Sequence, residues 1–164
     1  MSLLHPGDLF PALTVKLING EALHLPDAFA GHFGVVLFYR GSWCPFCNAQ
    51  LRAYQRAIGN LTDVGARLVA LSVDDEQTTR DLVDKHALQF PVGHSADPGE
   101  IAHAVGAFLN DDPVYVQSTG VVLDPAGRVL VSVYSSGAIG RLMPDDVVGF
   151  IRYVRENAAA SDSP

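Results

Sequence analysis

The chain has few cysteines, few basic residues and no long hydrophobic run. Only two of its 164 residues are cysteine, which excludes a framework of several disulfides and a zinc site built from four cysteines. Eleven basic residues stand against 18 acidic ones, a net charge of −7 that disfavours nucleic acid and anionic membrane surfaces as partners. Nowhere do about 18 apolar residues run uninterrupted, so we expect no transmembrane helix. The N-terminus lacks a signal-peptide pattern, and we expect a cytoplasmic protein.

The composition is otherwise that of a globular protein. Apolar residues make up 48% of the chain, enough to build a buried core in a protein of this length. We expect a single domain over residues 1–157. Residues 158–164 are small and polar, and we expect them to form a disordered tail.

Strand and helix patterns alternate along the chain. Gly34–Tyr39 and Ala66–Val73 are continuous apolar, β-branched runs, which are typical of strands buried on both faces. After the first run, apolar residues recur every three or four positions, the spacing of one helix face. Helices are predicted over Cys47–Leu61, over Asp74–His86 and from Pro144 onward.

Antiparallel hairpins are predicted near both ends. Asn19–Gly20 joins the short strands Leu13–Ile18 and Ala22–Leu25, since both turn residues tolerate positive φ. A second hairpin, Val121–Tyr134, turns at Asp124–Gly127. The order of elements indicates an α/β fold with a mixed central sheet flanked by helices.

Cys44 and Cys47 lie where the first buried strand gives way to the longest helix. Functional groups often collect at this edge of an α/β sheet. Free N–H groups and the dipole at a helix N-terminus favour a thiolate, the form of cysteine that attacks disulfides and peroxides. Pro45 suits the first helical turn. The pair therefore predicts thiol redox chemistry through a reversible disulfide.

The two sulfurs are not expected to be equivalent. Cys47 falls on the apolar face of the helix and is expected to be the less exposed. Cys44 follows Trp43 at the helix tip and would be the attacking group in disulfide exchange. Arg40 is close in sequence, and its charge would favour a thiolate. Trp43 and Phe46 either line the thiol pocket or simply pack against the core.

A structural zinc site and an inert core pair are the alternatives to redox chemistry. The six histidines are scattered without metal-ligand spacing, and we expect neither a metal nor another cofactor. Free cysteine is often a core residue, so an inert pair stays open. Gly137–Arg141 lacks the spacing of a nucleotide-binding loop, and the sequence does not place Arg141 relative to the cysteines.

The segment FYRGSWCPFC resembles the redox motif of thioredoxin-fold proteins. Its context resembles one branch of them, the alkyl hydroperoxide reductase/thiol-specific antioxidant (AhpC/TSA) family of peroxiredoxin-like redoxins. The matching features run from about Pro6 to Glu156 and comprise GDLFP with the Asn–Gly hairpin, VVLFYRGSWCPFC, ALSVDD, FPV and TGVVLDPAGRVL. The resemblance implies a thioredoxin-like fold with an N-terminal β-hairpin extension, and a thiol-dependent antioxidant enzyme.

Peroxiredoxins resemble one another in a P-x-x-x-T-x-x-C motif, whose Thr helps a later Arg to activate the peroxide. On this register the Pro falls on Arg40, the Thr on Cys44 and the peroxide-attacking Cys on Cys47. The later Arg falls on Ser118, which is also near the position of the thioredoxin cis-proline. Three of the four hallmark residues are therefore replaced. Ser118 and Thr119 are predicted neighbours of the cysteines, with a simple hairpin role as the alternative.

The resemblance implies that hydroperoxides oxidise the pair to a Cys44–Cys47 disulfide. An external thiol, thioredoxin-like or of low molecular weight, would reduce it again. The family register favours Cys47 as the attacking sulfur and expected exposure favours Cys44, so the order stays open. A protein-disulfide oxidoreductase with Cys44 as nucleophile is the main alternative, and a non-catalytic redox-sensing or binding module is another. The oligomeric state is open, a homodimer being one alternative.

Overall fold

The computed structural model describes residues 2–161. In this part of the chain nine strands and five α-helices form. The strands are β1 (Leu13–Leu17), β2 (Ala22–Leu25), β3 (Phe33–Phe38), β4 (Ala66–Leu71), β5 (Val92–His94), β6 (Leu109–Asp111), β7 (Val114–Val116), β8 (Thr119–Leu123) and β9 (Val129–Tyr134). The helices are α1 (Pro45–Arg56), α2 (Ile58–Asp63), α3 (Glu76–His86), α4 (Pro98–Val105) and α5 (Pro144–Ser161).

Seven of the described strands form one sheet in the order β2-β1-β5-β4-β3-β8-β9. Strands β3, β4 and β5 run parallel, whereas β1 and β8 are antiparallel to β5 and β3. The predicted α/β fold with a mixed sheet is confirmed. So are the N-terminal hairpin, in which Leu13 pairs with Leu25, and the hairpin of β8 and β9.

The central strand β3 is buried on both faces, as its continuous apolar sequence predicts. Val35 and Leu37 face a core that contains α1, α2 and α5. Val36 and Phe38 face a second core, formed with α4, β1 and the N-terminal segment. Burying one such side chain contributes about 1.5–3 kcal/mol. The carboxyl end of β3 is therefore a rigid base for the loop that leads to the cysteines.

The helix predicted over Cys47–Leu61 is two helices in the structure. The chain breaks at Ala57, whose N–H is shared between the carbonyl oxygens of Ala53 and Tyr54, each 3.1 Å away. Three short parts were not predicted from the sequence: β5, α4 and the separate hairpin of β6 and β7.

The last helix, α5, begins at Pro144 as predicted and continues to Ser161. Residues 158–161 of the expected tail therefore belong to a helix. Residues 162–164 lie outside the described part, and for them the tail stays a prediction. No helix within residues 2–161 combines the length and apolar character that crossing a membrane requires.

Candidate active site

The loop between β3 and α1 is fixed by hydrogen bonds to its backbone. The Ser42 N–H donates to Asp74 Oδ2 at 2.7 Å, and Asn48 Nδ2 donates to the Ser42 carbonyl at 3.0 Å. Gly41 lies directly beneath the Trp43 indole, where an added Cβ would come within 2.2 Å of Nε1. A side chain at position 41 would therefore displace the Trp43 indole from its place beside the cysteines.

Cys44 is the N-cap residue of α1. Its carbonyl accepts the first helical hydrogen bond from Asn48 N at 3.0 Å, and its Sγ accepts from Cys47 N at 3.3 Å. Pro45 occupies the first helical position, where its missing N–H costs nothing. Both cysteines are free thiols, and neither exposes any surface. A sulfur at this point receives N–H groups that the helix leaves unpaired.

Arg141 brings a positive charge to both sulfurs. Its Nη2 donates to Cys47 Sγ at 3.0 Å and to Cys44 Sγ at 3.5 Å. Its Nη1 donates to the Ala138 carbonyl at 2.6 Å within the loop between β9 and α5. One guanidinium nitrogen therefore bridges the two reactive groups.

The backbone beside Arg141 is held in place from α1. Gln50 Nε2 and the Tyr54 hydroxyl both donate to the Leu142 carbonyl, at 3.0 and 2.9 Å, and both side chains are fully buried. The Leu142 side chain packs against Gly120, where an added Cβ would come within 2.8 Å of Leu142 Cβ. The helix that carries the cysteines thus also positions the loop that carries the guanidinium.

Replacing Tyr54 with phenylalanine tests this attachment. The change removes one of the two donors to Leu142 and should cost about 1 kcal/mol of unfolding free energy in a urea titration. A looser loop should also lower the rate of thiol alkylation at pH 7 by about two- to fivefold. Tyr153→Phe, on the exposed face of α5, is the control. An unchanged alkylation rate in Tyr54→Phe would restrict Tyr54 to packing.

Arg40 is the second cation at the sulfurs. Its backbone N–H donates to Cys47 Sγ at 3.4 Å, and its Nη1 lies 3.8 Å from Cys44 Sγ. Its Cζ lies 4.9 Å from the ring centroid of Trp43 and 5.1 Å from that of Tyr115. Arg40, predicted from its nearness in sequence, thus contacts both cysteines, whereas Tyr115 was not singled out from the sequence.

The two thiols differ in acidity. Burial raises the pKa of Cys44. Hydrogen bonds from the Cys47 thiol, the Cys47 amide and Arg40, together with the charge of Arg141, lower it by more than burial raises it. The pKa of Cys44 therefore lies below its ordinary value. Burial raises the pKa of Cys47, and donating its proton to Cys44 raises that pKa further. The Arg40 amide and Arg141 oppose this without reversing it. Cys44 is therefore the sulfur that deprotonates first.

Trp43 and Phe46 flank the cysteines at the surface. Trp43 is 53% exposed and Phe46 is 48% exposed. The Trp43 ring lies against Arg40, and the Phe46 ring centroid is 5.9 Å from Arg141 Cζ. Both rings therefore adjoin a guanidinium that contacts sulfur, and their role in lining a thiol pocket stays a prediction.

Ser118 and Thr119 are buried at the same end of the sheet as the cysteine loop, because Thr119 pairs with Phe38 at the end of β3. The Ser118 carbonyl accepts from Ser135 N at 2.9 Å, and Thr119 Oγ1 donates to the Gln117 carbonyl at 3.1 Å. These contacts involve no cysteine, and a role for the two residues at the sulfurs stays a prediction.

The expected difference in exposure between the sulfurs is absent, since Cys44 is as completely covered as Cys47. The Arg141 guanidinium, which the sequence does not place, lies against both sulfurs. Within residues 2–161, no three His, Cys, Asp or Glu side chains converge closely enough to hold a metal ion. At this site the two thiols lie between the guanidinium groups of Arg40 and Arg141.

The known sequences that this chain resembles are peroxiredoxins and their family. The sequence profile of the AhpC/TSA family matches residues 6–132. A peroxiredoxin from Methanothermobacter thermautotrophicus is 28% identical over 155 residues, which cover 91% of this chain and 72% of that protein. A peroxiredoxin from Treponema denticola is 27% identical over 147 residues, covering 86% of this chain and 69% of that protein.

Solved structures agree on the fold. AhpC of Enterococcus faecalis superposes with a TM-score of 0.81 at 16% identity, covering 99% of each chain. The peroxidoxin BcpB of Mycobacterium tuberculosis superposes with a TM-score of 0.79 at 18% identity, covering 92% of this chain and 98% of its own. At such identities the likeness shows the fold alone, which is the thioredoxin-like fold predicted from the sequence.

Proposed function

Because the chain belongs to the AhpC/TSA family and is a thiol-dependent oxidoreductase, we propose that Cys44 and Cys47 carry its reaction, the reduction of a hydroperoxide. Membership of the family confirms the resemblance noted in the sequence. The observation that most supports the assignment is the single guanidinium nitrogen of Arg141 within 3.0 Å of one sulfur and 3.5 Å of the other.

In the first step the Cys44 thiolate attacks the terminal oxygen of the hydroperoxide. A sulfur–oxygen bond forms, the oxygen–oxygen bond breaks, and the leaving oxygen takes a proton to depart as an alcohol or as water. Cys44 becomes a sulfenic acid. Its lowered pKa and its place at the N-terminus of α1 favour it as the attacking sulfur.

In the second step the Cys47 sulfur attacks the sulfenic sulfur of Cys44. A disulfide forms and water leaves, taking the sulfenic oxygen and two protons. An external thiol donor then returns two electrons and two protons to the pair. Peroxiredoxins as a class use thioredoxin-like donors, and either such a protein or a small thiol fits this scheme.

The two arginines supply the positive charge that a peroxide and a thiolate need. The Nε atoms of Arg40 and Arg141 are buried, and neither has a hydrogen-bond acceptor within the described residues. Each arginine thus has one N–H without an acceptor, and a peroxide oxygen that reaches the sulfurs must displace the side chains that cover these groups before it can accept a hydrogen bond from them. Donors arranged in advance around a developing negative charge stabilise the transition state without reorganising.

Catalytic turnover of hydroperoxide is the test of this function. Reduced protein in a trace amount, supplied with hydrogen peroxide and excess dithiothreitol, should consume many equivalents of peroxide per chain. The control is the double variant Cys44→Ser/Cys47→Ser, which should not exceed the uncatalysed rate. A wild-type rate equal to this control would contradict a peroxidase.

Disulfide exchange is the second candidate, favoured by one observation. Cys44 rather than Cys47 has the lowered pKa, the order expected of an exchange enzyme with a C-x-x-C motif. Reduction of a protein disulfide such as that of insulin, in the same dithiothreitol mixture, would measure it.

The compartment and the assembly are also proposals. A cysteine pair whose disulfide must be reduced in every cycle works best in a reducing compartment, and we propose that the protein is cytoplasmic. The exposed rings of Trp43 and Phe46 offer a thiol donor or a second copy of the chain an apolar surface, and a homodimer is the assembly to test by light scattering.

A further inference from the structure

Tyr115 reaches the site from outside the main sheet. It lies on β7 of the small two-stranded hairpin and is buried, although its neighbour Val114 is 53% exposed. Its hydroxyl accepts a hydrogen bond from Arg40 Nη2 at 2.8 Å. Its ring meets the Trp43 ring edge to face, with the centroids 4.9 Å apart. The Arg40 guanidinium therefore donates a short hydrogen bond to Tyr115 and contacts two aromatic rings.

We propose that Tyr115 is a positioning residue of this site, which holds the Arg40 guanidinium against Trp43 and beside Cys44 so that its charge stabilises the Cys44 thiolate. The inference rests on the proposed function in assigning a reactive thiolate to Cys44. It adds a residue from the hairpin, β6 and β7, that the reaction scheme does not otherwise use.

The contacts of Arg40 show why it needs such a residue. An arginine side chain is long, and fixing it in one rotamer costs conformational entropy unless other contacts compensate. Its 3.8 Å approach to Cys44 Sγ is too long to fix the side chain alone. The 2.8 Å bond to Tyr115 and the two flanking rings fix both the position and the plane of the guanidinium.

A phenol is suited to this task because it carries no charge of its own. A carboxylate in the same place would fix Arg40 equally well but would offset its positive charge. Within residues 2–161 Arg40 makes no ion pair with a carboxylate, since the one found there joins Arg80 to Glu76. Tyr115 thus orients the Arg40 guanidinium without neutralising its positive charge, which can then stabilise the Cys44 thiolate.

Tyr115→Phe in the full-length protein removes the hydroxyl and keeps the ring. The readout is the pH dependence of alkylation of Cys44 by iodoacetamide, followed by peptide mass spectrometry. Because only the thiolate reacts, we expect the midpoint to move to higher pH and the rate at pH 6 to fall by about three- to tenfold. Arg40→Ala should shift the profile at least as far.

Tyr134→Phe is the matched control, since it removes a half-buried hydroxyl that bonds to the backbone of Leu4 and Val105 instead. Its profile should equal that of the wild type. If Tyr115 acts through Arg40, the double variant Tyr115→Phe/Arg40→Ala should match Arg40→Ala alone.

Two results would overturn the inference. One is a wild-type pH profile for Tyr115→Phe. The other is a double variant whose profile is shifted beyond that of Arg40→Ala by as much as Tyr115→Phe alone shifts the wild-type profile. Alkylation requires no peroxide, so the role of Tyr115 is measured independently of the peroxidase assay. A protein that fails to reduce peroxide but shows the expected profiles would contradict the proposed function and retain the role of Tyr115.

Discussion

Replacing Arg141 with alanine is expected to slow the reaction of the reduced protein with hydroperoxide by about 10- to 100-fold at pH 7. A hydrogen bond to a charged group contributes about 1.5–3 kcal/mol, and each step of about 1.4 kcal/mol changes the rate tenfold. The variant loses the guanidinium that donates to both sulfurs. The pKa of Cys44 then rises, since the charge of Arg141 is one of the influences that lower it. Less thiolate is present at pH 7, and the deficit should shrink as the pH is raised.

Stopped-flow thiol loss over a range of pH measures this effect. Arg155→Ala is the control, because it removes an equal charge from α5, where Arg155 approaches the carbonyl of Asp63. Arg141→Lys should recover only part of the rate, since an ammonium group lacks the planar fork that reaches both the sulfurs and Ala138. A folded Arg141→Ala protein that reacts at the wild-type rate would remove Arg141 from the mechanism.

The two single cysteine variants should fail at different steps. Cys47→Ser keeps the acidic sulfur of Cys44, so we expect it to consume about one equivalent of peroxide rapidly and to stop as a sulfenic acid. Cys44→Ser should lose the rapid step, because burial, the largest influence on the pKa of the remaining thiol, Cys47, still raises it in this variant. Neither variant should sustain turnover, since neither can form the Cys44–Cys47 disulfide.

Trapping with dimedone followed by mass spectrometry distinguishes the variants. An adduct on Cys44 in Cys47→Ser, with little adduct on Cys47 in Cys44→Ser, is the expected pattern. The reverse pattern would make Cys47 the attacking sulfur, as the register of the family motif favours. Full turnover in either single variant would contradict a two-cysteine cycle.

The central part of the fold was predictable because its signals are local. Gly34–Tyr39 is apolar without interruption, and the strand found there is buried on both faces. Pro45 marks the first turn of α1, which places Cys44 at the helix N-terminus. The helix α4, which was not predicted, has equally local signals: Asp97 caps its N-terminus, and Gly106 ends it in the left-handed conformation.

The remainder of the site depends on contacts between distant parts of the chain. Arg141 is 94 positions from Cys47, and Tyr115 is 75 positions from Arg40. No periodicity or motif in the sequence links such residues. The family register placed the later arginine at Ser118, whereas Arg141, the arginine that donates to both sulfurs from a distant part of the chain, lies in the loop after β9. Local spacing therefore indicated the thiol pair, and only the tertiary structure identified the groups that surround it.

Hydrogen peroxide oxidation of the reduced wild-type protein tests the central claim, that Cys44 and Cys47 form one peroxide-oxidised redox pair. One equivalent of peroxide is mixed with the protein in a stopped-flow instrument, thiol loss is followed, and the product is mapped by peptide mass spectrometry. We predict a reaction orders of magnitude faster than that of free cysteine, ending in an intramolecular Cys44–Cys47 disulfide. A rate no better than free cysteine, or a product without that disulfide, would contradict it.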